Sequence, residues 1–497
     1  MVGPWDHLKY QPGEESIGYT DQIFINRNLK MQSITHMGFD MDHTLAVYKP
    51  AAKELAFQLA RDVLIEKYGY PAEIKSLEYQ HGMVIRGLVI DKKRGNLIKL
   101  DHHKYVEIAY HGTECLRKQD RKRIYNKPGE SYRPSSDDYS YLDTLFCLPE
   151  ASLYMQMVSF MDEKKKGKKP DYRSMHRDVR EAIDQVHRDG SLKAIITANL
   201  STYIEKDPLL PKTLFHFIRG QKKLFLLTNS EYYYTEVILS YLLNGEIPGY
   251  ENWQDYFDFI VVSACKPAFF SKEAKLERIE ADEKGVEIPI EVRSKLFRFG
   301  YFKSLEKELG AHGESILYFG DHTFGDILKS KQTCGWRTAM IISELERELE
   351  ILASQRTDKE QLENLRTELQ ETRDDIMMME SQISYLRNRK LDSYDVLSST
   401  DLKEIDEEVR ILHEMINKRD LRATECLYEI KVLEDSMSHG FNERWGSLFK
   451  SSRRKSRFGD QVEDFACVYS TRVTNFFRYP ITKYFRISTD LMAHERR

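Results

Sequence analysis

Short, continuously apolar runs that end in polar clusters recur along this chain. They are Ile34–Phe39, Leu224–Leu227 in "KKLFLLTNS", Phe259–Val262 in "FDFIVVSACKP", Ile316–Phe319 in "ESILYFGDHTFGD", and Ala339–Ile342. Runs of this length without polar alternation predict parallel strands buried on both faces, and helix-like stretches such as Tyr233–Leu243 and Arg293–Glu308 separate them. Such an α/β sheet gathers ligands at the carboxyl ends of its strands. The polar clusters fall there: Asp40 and Asp42, then Thr228 and Asn229, then Lys266, then Asp321 and Asp326.

The first and second runs are too far apart for a simple crossover. Residues 50–195 are therefore expected to form an α+β cap, with alternating stretches such as "GLVIDKKRGNLIKL" and an amphipathic helix in "RDVREAIDQVHRDG". Residues 25–49 and 196–345 would make the core, with helices on both faces of the sheet. Over residues 346–437 the pattern changes to two heptad-like stripes, Leu362 to Leu386 and Ile405 to Met437, which predict an antiparallel helical hairpin with an N-cap at Thr400. The aromatic, basic segment 438–497 is expected to pack back on the core.

Composition narrows the class. The 497 residues are 41% hydrophobic and 31% charged, as in a globular protein, and 79 acidic against 75 basic side chains offer no general attraction to nucleic acid. Six scattered cysteines without a CxxC pair suggest reduced thiols, and no run is long enough to span a membrane. A cytoplasmic location is expected. The histidines His102, His103 and His111 lack metal-ligand spacing, and the run Lys164–Lys169 has the composition of a solvated loop.

Two aspartates after a strand can be a turn and helix cap. Three further polar strand ends change that reading, because together they supply the parts of a phosphoryl transfer site: a carboxylate nucleophile, a second carboxylate for proton transfer, a cation, and a hydroxyl donor. Hard carboxylate oxygens would favour magnesium among divalent cations.

"FDMDHTL", "LLTNS", Lys266–Pro267 and "GDHTFGD" resemble, in order, the four motifs of the haloacid dehalogenase superfamily of phosphohydrolases. More narrowly, "TLFCLPE", "DVREAIDQVHRDGSLK" and "GWRT" resemble the cytosolic purine 5'-nucleotidase family. The resemblance implies a Rossmannoid core with an inserted cap, Asp40 as nucleophile, Asp42 as acid and base, and Thr228, Asn229 and Lys266 on the phosphate. Magnesium would sit on Asp40, Asp321 and the carbonyl of Asp42, with Asp326 in support. Phe146, Arg180, Asp184, His187 and Lys193 would bind the purine substrate. It further implies IMP and GMP as preferred substrates, nucleoside phosphotransferase activity, and a homo-oligomer, dimer or tetramer. The alternatives are another phosphatase of the superfamily, or a catalytically silent scaffold assembled through the hairpin.

Overall fold

The computed structural model of the chain describes residues 17–125, 137–164, 170–281, 285, 287–392 and 398–487. Two compact units emerge, one comprising Met1–Arg347 with Ser447–Arg497 and the other Glu348–Gly446.

The larger unit is built on a nine-stranded sheet. In chain order its strands are β1 (Phe24–Ile25), β2 (His36–Phe39), β3 (Lys223–Leu227), β4 (Phe259–Val262), β5 (Leu276–Arg278), β6 (Leu296–Phe299), β7 (Ile316–Gly320), β8 (Arg337–Ile341) and β9 (Val468–Ser470). Their spatial order is β1-β9-β8-β7-β2-β3-β4-β6-β5. Strands β9 through β6 in that order pair in parallel, and the edge strands β1 and β5 pair antiparallel. The apolar runs are buried because both faces are covered. Met37, Phe39, Leu224 and Leu226 belong to one apolar cluster, while Phe225, Leu227, Val261 and Tyr318 belong to a second. The C-terminal segment does more than lie against the core, since β9 is an internal strand beside β8.

One expectation is overturned. The stretch Arg293–Glu308 is not a single helix but contains β6 between two short helices, Ile290–Arg293 and Phe302–Leu309. Pairing of Leu296 with Ile260, and the stacking of Phe297 on Phe259 at 4.5 Å, decide the local state against its helical pattern.

Between β2 and β3 lies a second sheet of five antiparallel strands, in the order Glu114–Cys115, Val106–His111, Asn96–Leu100, Val89–Asp91 and Tyr139–Tyr141. The helices Pro50–Glu66, Cys147–Lys164 and Tyr172–Arg188 accompany it. His111 bonds to Asn96 and Asp162 within this region, at 2.7 and 2.8 Å. Lys164 pairs with Glu73, whereas Lys165 to Lys169 lie outside the described residues.

The smaller unit carries helices of 37 and 43 residues, Arg356–Asp392 and Ser399–Phe441. Leu362, Leu365 and Leu369 pack with Ala423, Cys426 and Ile430, and Ile383 and Leu386 pack with Ile405, Leu412 and Ile416. The N-cap of the second helix is Ser398, not Thr400. Its hydroxyl accepts from the Asp401 amide while Asp401 bonds back to the Ser398 amide, a reciprocal cap that Thr400 has no acidic partner to form.

Gly38, in the middle of β2, is required by close approach. A Cβ there would stand 2.1 Å from Cζ of the buried Phe225 ring. Gly38→Ala is expected to destabilise the larger unit by about 1–3 kcal/mol through overpacking, read as a lower urea midpoint at unchanged m-value.

Candidate active site

Pairing of Phe39 with Phe319 on one side and Leu226 on the other brings the carboxyl ends of β2, β3 and β7 level. Asp40 follows immediately, its amide donating to the Phe319 carbonyl at 2.9 Å. From the end of β4, Lys266 reaches back into this row. Its ammonium lies 2.9 Å from Asp40 Oδ1 and 2.7 Å from Asp326 Oδ1, and it donates to the Tyr318 hydroxyl at 2.9 Å. Gly320 at the end of β7 permits this, because a Cβ there would meet Asp326 Cβ at 2.5 Å.

Carboxylate oxygens of Asp40, Asp321 and Asp326 lie within 4.8 Å of one another, and all three residues are buried. Burial raises the Asp40 pKa well above the usual carboxylate range, opposed by Lys266. Burial pushes Asp321 up to about 8, against the pull of Arg86 and Lys266. For Lys266, burial alone would favour the neutral amine, but Asp326 and Asp40 override it and raise its pKa. Asp321 Oδ2 is buried with no hydrogen-bond partner. An orphaned oxygen beside two further carboxylates is a donor set that fits a hard divalent cation.

Asp42 lies outside that triad. Its carboxylate accepts from the Tyr48 hydroxyl at 2.6 Å and the Ser230 hydroxyl at 2.7 Å. Burial, together with Asp42, raises Tyr48 well above the usual phenol range, so Tyr48 stays a donor. Thr228 is fully buried, with its hydroxyl accepting from the Ser230 amide at 3.1 Å. The Asn229 amide is engaged by the Lys266 backbone in both directions, at 2.6 and 3.0 Å, so it braces the loop that carries Lys266.

The cap residues expected to bind substrate fall into linked groups. Phe146 packs edge-on to His43 at 4.6 Å and to His187 at 5.9 Å, and lies 6.2 Å from Tyr48. The Nδ1 of His187 bonds to the Ile183 carbonyl at 2.8 Å. Arg180, on the same helix, bonds to Asp184 at 3.1 Å and to the buried Glu150 at 2.9 Å. Lys193 pairs with Glu231 and lies 5.3 Å over the Tyr234 ring, whose hydroxyl bonds to that of Tyr48 at 2.9 Å.

Residues 23–497 match the model of the 5' nucleotidase family. The chain belongs to that family. A 5'-nucleotidase domain-containing protein of Dictyostelium discoideum is 30% identical over 479 residues, spanning 95% of this chain and 74% of the relative. A solved L-2-haloacid dehalogenase from Xanthobacter autotrophicus is 13% identical, covers 64% of this chain and 83% of its own, and has a TM-score of 0.22. The corresponding values for a 2-haloacid dehalogenase from Pseudomonas syringae pv. Tomato DC3000 are 15%, 62%, 86% and 0.21. Membership in the 5' nucleotidase family makes the chain a nucleotidase hydrolase, whose substrates are nucleoside monophosphates and whose family generally uses a divalent metal. No helix among the described residues is long and apolar enough to cross a membrane.

Sequence reasoning missed several residues of this candidate site. Arg86 is fully buried, donating to the Asp321 carbonyl at 2.8 Å and to both oxygens of Glu344 at 2.6 and 2.7 Å. Burial would raise Glu344, but Arg86 holds it below the usual range. A lone arginine inside "MVIRGLVI" was the available signal, because a charge in an apolar strand-like stretch needs a partner. Tyr318 was hidden as one more apolar residue of β7.

Tyr318 accepts from Lys266 and donates to the Leu227 carbonyl at 3.0 Å. Tyr318→Phe is expected to leave the fold intact at a cost of about 1–3 kcal/mol for the stranded polar groups. It should lower kcat by about tenfold with little change in KM, as fits a residue that positions Lys266. Steady-state kinetics beside urea unfolding checks both.

Proposed function

We propose that this chain is a magnesium-dependent 5'-nucleotidase that hydrolyses purine nucleoside 5'-monophosphates, with IMP and GMP preferred, through an aspartyl-phosphate on Asp40. The observation that carries the reading is the buried set in which Lys266 bridges Asp40 and Asp326 while Asp321 keeps beside them an oxygen that accepts no hydrogen bond and faces Arg86 at 3.9 Å. Asp40, Asp321 and the carbonyl of Asp42 would hold magnesium, with Asp326 supporting them. Bound there, the cation supplies charge neutralisation between the carboxylates and the phosphate dianion.

Within this reading Asp40 Oδ attacks phosphorus and the bond from phosphorus to the 5' oxygen breaks. Asp42, oriented by Tyr48 and Ser230, gives that oxygen its proton, so the nucleoside leaves as an alcohol. Lys266 and the buried Thr228 hold the non-bridging oxygens. Asp42 then takes a proton from water as the water attacks the aspartyl-phosphate, which returns Asp40 and releases phosphate. A nucleoside hydroxyl in place of that water gives phosphotransfer by the same proton path.

The cap favours a 6-oxopurine for a reason of hydrogen-bond type. Arg180 carries only donors and ionised Asp184 only acceptors, which match O6, N7 and N1–H of hypoxanthine or guanine and leave groups unpaired against adenine. Glu150 supports this, because its buried carboxylate fixes one arm of the Arg180 guanidinium. Phe146 and His187 offer aromatic surface to the base.

Asp40→Asn should abolish phosphate release with the fold retained in circular dichroism, since an amide forms no acyl-phosphate. Wild-type turnover in that variant would reject the covalent route. On a panel of nucleoside monophosphates, IMP and GMP are expected to be cleaved at least about tenfold more efficiently than AMP, and activity should fall in chelator and return with magnesium. Arg180→Ala and Asp184→Ala should narrow the gap between IMP and AMP more than they slow p-nitrophenyl phosphate.

A further inference from the structure

Among the described residues, ten of the eighteen large apolar side chains that are exposed lie on the two long helices of the smaller unit. Seven of the ten share one face. On the second helix, Ile411, Met415, Leu421, Tyr428 and Val432 are between 45% and 71% exposed. At 3.5 residues per turn they fall within an arc of about 100°, roughly opposite the seam of Leu412, Ile416, Ala423, Cys426 and Ile430 that packs on the first helix. This second stripe runs about 32 Å along the helix. Met378 and Tyr385 extend it across the pair, because they occupy the heptad position next to Glu368 and Gln382, which bond to Arg422 and Glu408 on the striped side.

We propose that this face docks on the same face of a second copy of the chain, helix 399–441 against helix 399–441, antiparallel about a two-fold axis beside Leu421. The stripe is self-complementary in that arrangement and in no parallel one. A two-fold axis at this point sets Ile411 opposite the partner's Val432, Met415 opposite the partner's Tyr428, and Leu421 beside the partner's Leu421. It also sets Lys418 opposite the partner's Glu425, twice by symmetry. Lys418 has no ion-pair partner among the described residues, so its charge is available, while Glu425 touches only Arg422 at 3.3 Å. The two remaining acids of the stripe, Glu414 and Glu429, are already neutralised by Arg410 and Arg422. A parallel pairing would oppose Lys418 to itself and Glu425 to itself, which is repulsive. An apolar stripe that carries Lys418 and Glu425 symmetrically about its centre, and whose other charges Glu414, Arg422 and Glu429 already sit in ion pairs within the chain, specifies a copy of itself as the occupant.

Sedimentation of the full chain over a concentration series tests this, with circular dichroism as the control for helix content. The wild type should dimerise reversibly. Lys418→Glu and Glu425→Lys should each weaken the dimer by about tenfold or more, since each creates two like-charge contacts, and the double variant should restore it. Phosphate release should not change in any of the three. Leu421→Cys should form a 421–421 disulfide between copies on oxidation, identified by peptide mapping, whereas Leu391→Cys, which lies off the stripe, should not. A chain that is monomeric throughout overturns the proposal. So does a dimer that neither single reversal weakens and that yields no 421–421 link, because its interface then lies elsewhere.

Discussion

The carboxyl end of the sheet depends on one buried cation. Lys266 stands between Asp40 and Asp326, and Arg86 is the next positive charge, bonded to the Asp321 backbone and to Glu344. Burial pushes Asp40 and Asp321 toward their protonated forms, and an unpaired carboxylate in such a site is costly. Lys266 therefore opposes, through its ion pair with Asp40, the pull of burial toward the neutral acid. That role explains the bracing around it: the Asn229 amide on its backbone, the Tyr318 hydroxyl on its ammonium, and the aligned ends of β2, β3 and β7.

Asp42, to which the proposed mechanism gives the proton transfer, is held apart from Lys266 by core residues that adjoin the cap. Asp42 is turned by Tyr48 and Ser230, Tyr48 is bonded to Tyr234, and Phe146 lies against both His43 and His187. The residue expected to receive the base is thus one aromatic contact away from the residue that orients the acid. Under the proposed function, binding of the base bears on the geometry of Asp42, a route by which binding energy from a remote part of the substrate reaches the reacting centre.

The helical hairpin obeys a different constraint. Its inner stripes close the two helices on each other, and the striped outer face is left for a partner that the charges at Lys418 and Glu425 make specific. Assembly and chemistry are then carried by separate units of the chain.

The sequence by itself determined the parallel strands, because a buried strand must be apolar throughout, and it marked the carboxylates, the hydroxyl and the lysine that the strand ends bring together. It also determined both inner stripes of the hairpin, whose period reports a helix packed on a helix. The β6 strand was not legible, since "KLFRF" becomes a strand only when β4 offers it a pairing edge. Nor were Arg86, Glu150, Glu344 and Tyr318, residues whose roles come from partners 30 to 258 positions away in the chain. Local pattern records what a segment must bury or expose. Which side chain meets which buried charge is decided only when the sheet register and the cap bring distant strands together, because an ion pair or hydrogen bond exists only at contact distance.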